Sequence, residues 1–88
     1  MALFYFKVVD NDGTIPADDG FDFPDLMSAV RQAKIVLAEM ALDGLPQDPE
    51  KALEIEVQNA GHFPVVRLRL ELKVDYLTGP AVKLHSRP

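Results

Sequence analysis

The chain has 88 residues, of which 48% are hydrophobic and 26% charged, and nine Lys and Arg against fourteen Asp and Glu leave a net charge of −5. That is one domain's length and too apolar for a disordered chain. The acidic balance argues against direct nucleic-acid binding, which runs on phosphate neutralisation by Lys and Arg. Cysteine is absent, which removes disulfide and thiolate chemistry. No apolar run approaches the roughly 20 residues of a membrane helix. Met1–Lys7 lacks a basic stretch ahead of its apolar residues, so no signal peptide is expected and the expected setting is cytoplasmic.

Leu3–Val9 is aromatic and β-branched with only Lys7 polar, which predicts a well-buried first strand. It ends at Asp10-Asn11-Asp12-Gly13, where Asp-Gly is a hairpin signal of the type I′ kind. A weak return strand is expected around Thr14–Ile15, at an edge that tolerates Pro16. Asp18-Asp19-Gly20 makes a second turn, after which Phe21–Phe23 extends or re-enters the pairing.

A helix is expected near residues 25–43. Pro24 suits its first turn, Asp22 or Asp25 its cap, and Gly44 the left-handed position after its end. At 100° per residue, Leu26, Ala29, Val30, Ala33, Val36, Leu37 and Met40 share one face. Leu45–Pro49 reads as a loop.

Two strands with a period of two follow. Leu53, Ile55 and Val57 alternate with Glu54, Glu56 and Gln58, and Val66–Val74 alternates with Arg67, Arg69, Glu71, Lys73 and Asp75. The short connector Asn59-Ala60-Gly61-His62 makes them a hairpin. Charge sets the register: Glu56 opposite Arg67 and Glu54 opposite Arg69 also bring Leu53 to Leu70, Ile55 to Leu68 and Val57 to Val66. A one-residue slip would set apolar against charged side chains throughout.

The expected fold class is α+β, in the order β-β-α-β-β: a four-stranded antiparallel sheet, order 2-1-3-4, with one helix packed on one face. Residues 1–76 form the domain and 77–88 a poorly ordered tail, on the strength of Gly79-Pro80 and the lack of periodicity.

Catalytic chemistry finds little to work with. The serines are Ser28 and Ser86 and the histidines His62 and His85, and no local pattern joins them into a nucleophile with its base. Asp10, Asp12, Asp18 and Asp19 cluster around the first hairpin, but a calcium-loop template laid from Asp10 puts Ile15 where Gly is required and Phe21 where the bidentate Glu belongs. Turn chemistry accounts for those carboxylates. No catalytic residue, metal site or cofactor is therefore expected.

Two surfaces stand out. Met27, Ile35, Ala38 and Leu42 make an apolar strip on the helix face away from the core, where a helix on a one-layer sheet should show charge. The outer sheet face carries Tyr5 among Glu54, Glu56, Arg67 and Arg69. The strip is the first candidate for a protein contact, with itself as a homodimer or with another protein, and the sheet face is the second.

Phe4-Tyr5-Phe6, then Asp12-Gly13, Asp18-Asp19-Gly20, and Phe23-Pro24-Asp25-Leu26 leading into an Ala-rich helix resemble a family of short alphaproteobacterial, notably rhizobial, domains of unknown function. The likeness covers residues 3–75. It implies the fold and a cytoplasmic setting, and no catalytic residue. A weaker likeness is to the N-terminal domain of HicB-type antitoxins, although the DNA-binding segment usual there is missing. Together these readings predict a non-enzymatic interaction module. The alternative is an acidic antitoxin-like inhibitor of a small basic nuclease.

Overall fold

A computed structural model describes residues 1–46 and 51–78. The later part of the expected loop, and nearly all of the expected tail with His85 and Ser86, lie outside the described residues. The elements run β1 (Ala2–Asp10), β2 (Gly13–Ile15), β3 (Gly20–Phe23), α1 (Leu26–Asp43), β4 (Leu53–Gln58) and β5 (Pro64–Leu70).

They form an α+β fold with one open, fully antiparallel sheet and one helix. The sheet has five strands rather than the expected four. Its path is β2-β1-β4-β5, and β3 joins β1 beside β2. The expected order 2-1-3-4 thus omitted a strand. β1 is long enough for both short strands: β2 pairs with Val8–Asp10 and β3 with Ala2–Tyr5. Between Ile15, opposite Val8, and Gly20, opposite Tyr5, four residues of the return face two residues of β1. The insertion is therefore two residues, an even number, so the side chains after it keep the face they had before. Ile15, Phe21 and Phe23 all point to the helix side with Phe4 and Phe6.

The hairpin of β4 and β5 keeps the register its charges demand: Leu53↔Leu70, Glu54↔Arg69, Ile55↔Leu68, Glu56↔Arg67 and Val57↔Val66, with a bulge between Val57 and Gln58. β5 ends at Leu70, earlier than its alternation suggested. The reason is geometric: β4 begins at Leu53, which already pairs with Leu70, so no part of β4 lies opposite residues 71–78.

The buried core is Phe4, Ala29, Ala33, Leu53, Ile55 and Val57. Two alanines at the centre of the helix face let α1 come close to the sheet, and Val36, Leu37 and Met40 fill the sides. Phe4, Phe6, Phe21 and Phe23 pack as an aromatic group, with centroids 5.9–6.2 Å apart. β1 is not buried on both faces. Phe4 alone of its residues is buried: on the helix side Phe6 and Val8 border an open cleft, and among the described residues no layer covers the opposite face of the sheet.

Of the two expected caps Asp25 is the one used, accepting a 2.8 Å hydrogen bond from the Ser28 N–H. Three local expectations are corrected. Pro24 precedes the helix rather than sitting in its first turn. Gly44 is extended (φ 170°) rather than left-handed. The Asn11 side chain instead donates to the Gly44 and Leu45 carbonyls at 3.2 and 3.3 Å, tying the first turn to the helix end. In that turn only Gly13 has positive φ (141°), so it is not type I′, and the Asp10 carboxylate steadies it by accepting from the Asp12 and Gly13 N–H groups.

Candidate interaction surfaces and an open cleft

On the outer side of α1, the 18-residue helix presents Met27, Ile35, Ala38 and Leu42 to solvent, and Met27, Ile35 and Leu42 are 75%, 49% and 87% exposed. From Met27 to Leu42 the strip runs roughly 23 Å at 1.5 Å per residue. Arg31 and Lys34, also exposed, sit among these residues. Met27, Arg31 and Lys34 join Leu26 and Val30 around a shallow hollow of about 240 Å³ near the start of the helix.

The outer sheet face is a set of charge rows across three strands. Lys7, Glu56 and Arg67 form one row, and Val9, Glu54 and Arg69 the next. Arg67 reaches Glu56 at 3.3 Å and Glu54 at 3.8 Å. Arg69 pairs closely with Glu54, and with Glu71 at 3.3 Å. Gln58 donates to Glu56 at 3.0 Å. That bond, with Arg67 behind it, holds the Glu56 carboxyl below the usual carboxylate range although partial burial pushes the other way. Tyr5 stacks on His62 with ring centroids 3.9 Å apart, and the His62 ring is fixed by Gln58 at 3.0 Å. The five residues singled out on this face are thus brought together, with their charges largely satisfied by one another.

The two-residue insertion has a consequence that sequence reasoning missed. Residues 16–19 lift off β1 and leave an open cleft of about 350 Å³ on the helix side of the sheet. Its walls include Phe6, Val8, Ile15 and Phe21 from the sheet edge and Ala33 and Val36 from α1, and Asp18 and Asp19 stand at its mouth. The mismatch shows only once the pairing is known: four residues from Pro16 to Asp19 stand where strict pairing with Phe6 and Lys7 allows two.

Acid is concentrated along the same edge. Asp10, Asp12, Asp18, Asp19, Asp22 and Asp25 follow one another with no Lys or Arg between Lys7 and Arg31. Among the described residues no group of three or more His, Cys, Asp or Glu is arranged to hold a metal ion. No helix among them is long and apolar enough to cross a membrane.

No curated protein and no solved structure matches the chain. A family model does match, over residues 3–71, from the aromatic first strand to the end of the closing hairpin. The chain is a member of the domain of unknown function DUF6894.

Proposed function

We propose that this domain is a non-enzymatic protein-interaction module that meets its partner through the outer strip of α1. The observation that carries the reading is the exposure of Met27, Ile35 and Leu42, in line with Ala38, on a helix whose other face packs on the sheet through Ala29, Ala33, Val36, Leu37 and Met40. Single exposed apolar residues are ordinary, but several aligned along one helix face mark a contact surface. Arg31 and Lys34 within the strip favour a partner with acidic groups around an apolar centre. The non-enzymatic part of the reading rests on the sequence, in which no local pattern joins a nucleophile to a base.

The test is native capture of the tagged protein from its host, run in parallel with the Ile35→Glu/Leu42→Glu variant. The expected result is a distinct protein retained by the wild type and lost from the variant, with unchanged thermal stability. Identical eluates from the two would overturn the reading.

The acidic edge supports a second reading, an antitoxin-like inhibitor that masks a small basic nuclease. Six aspartates without an intervening cation provide the steering field such a complex needs. That reading requires a basic partner whose retention weakens steeply with salt, and a partner held equally at low and high salt counts against it.

A further inference from the structure

We propose that two copies of the chain pair antiparallel through the free edge of β5 and the segment that follows it, centred on Leu72. The alternation of β5 does not stop where its pairing stops. Leu72, Val74 and Tyr76 continue the phase of Val66, Leu68 and Leu70, while Glu71, Lys73 and Asp75 continue that of Arg67 and Arg69. Yet β4 offers nothing opposite residues 71–78, and Leu72, Val74 and Tyr76 are 40%, 59% and 63% exposed. β5 pairs on one side only, so its second edge is open among the described residues. A strand-patterned segment without a strand beside it is a template for pairing with another chain.

The identity of that chain follows from the charges. In a two-fold antiparallel pair centred on Leu72, Arg69 faces the partner copy's Asp75 and Glu71 faces its Lys73, and symmetry repeats both, which gives four opposite-charge pairs on one face. The other face sets Leu72 on Leu72, Leu70 on Val74 and Leu68 on Tyr76, all apolar or aromatic. Neighbouring registers offer fewer favourable pairs. Centring on Glu71 sets Glu71 on itself and Arg69 on Lys73, and centring on Lys73 sets Lys73 on itself and Glu71 on Asp75. Centring on Leu70 keeps Arg69 on Glu71 but sets Arg67 on Lys73, and centring on Val74 keeps only Lys73 on Asp75. Any odd offset would set charged against apolar positions. Within one copy Arg69 is already paired with Glu54 across the hairpin, but among the described residues Glu71, Lys73 and Asp75 have only exposed partners along the same strand, Arg69–Glu71 at 3.3 Å and Lys73–Asp75 at 3.9 Å. Pairing would join the two sheets edge to edge with both helices on the same side. It would use a surface separate from the strip on α1.

Sedimentation analysis of the wild type and of two charge variants tests this. Glu71→Lys and Lys73→Glu each set like charges against each other at two places, and both positions are too exposed to threaten the fold, which circular dichroism checks. The wild type is expected to dimerise with rising concentration. Each variant alone should dimerise at least about tenfold more weakly. An equimolar mixture of the two should recover the dimer, because Glu71→Lys in one chain then meets Lys73→Glu in the other. A monomeric wild type, variants that dimerise like it, or a mixture that stays monomeric would each overturn the pairing. A monomeric wild type would leave the α1 contact to its own capture experiment.

Discussion

Gly20 shows how much a single side chain matters at an open sheet edge. It stands opposite Tyr5, and a Cβ there would lie 2.8 Å from Leu3 Cδ1 and 3.1 Å from Tyr5 Cε1. The two larger side chains lean toward the glycine, which stays exposed at the edge. Gly20→Ala should displace the flexible end of Leu3 and shift the Tyr5 ring by a few tenths of an ångström, at a cost of no more than about 0.5 kcal/mol at this exposed edge. Chemical denaturation measures the loss, and the His62 ring resonances report the shifted stack. Asn59 plays a similar part in the last turn, where its side-chain oxygen accepts from the Gly61 and Phe63 N–H groups at 2.9 and 3.0 Å. Asn59→Ala should cost about 1–2 kcal/mol in the same assay. The turn itself was legible in the sequence. That His62 rather than Gly61 takes the left-handed conformation (φ 63°) was not, because glycine is the residue for which that conformation is free of strain. The stack of His62 on Tyr5 was also invisible, since it joins positions 57 residues apart that meet only through the sheet.

At the scale of elements, hydrophobic period and charge fixed most of the arrangement. Alternation alone located β4 and β5, and the Glu54/Glu56 and Arg67/Arg69 pairs set their register to the residue. The helix was legible from its period and its cap. What was not legible was β3 as a strand of its own, because four residues carry too little pattern and its place beside β2 depends on the length of β1. The cleft beneath residues 16–19 was hidden for the same reason. Two carboxylates bind these elements to a pH dependence. The Ser28 N–H holds Asp25 below its ordinary value of 3.8, and Gln58 and then Arg67 hold Glu56 below its ordinary 4.5. A carboxylate depressed in the folded state adds stability above its unfolded pKa, and that stability disappears as pH falls through the folded value. The melting temperature should therefore fall as pH drops below those values, and Glu56→Gln should flatten the fall. A variant whose melting temperature tracks the wild type down to strong acid would contradict the assignment.

Taken whole, the described residues form one helix on one sheet, with a thin core and much exposed surface. Ile55 is 1% exposed and lies at the centre of that core, facing Leu68 across the hairpin. Ile55→Ala should cost about 2–5 kcal/mol. Against a total of about 5–10 kcal/mol for a domain of this size, that leaves a protein with a sharply lowered denaturation midpoint. The outer helix strip is the reverse case, apolar residues whose removal should cost the fold nothing and the function everything. The strip's position was legible from the helical period alone; the partner proposed for it was not, because no residue of this chain encodes it. Site-specific photo-crosslinking in the host, with the reactive group placed in turn at Leu42 and at Lys7, addresses that contact most directly. The account predicts a discrete adduct with another protein from position 42 and none from position 7 on the charged sheet face. Equal labelling from both positions, or no adduct from position 42, would contradict it.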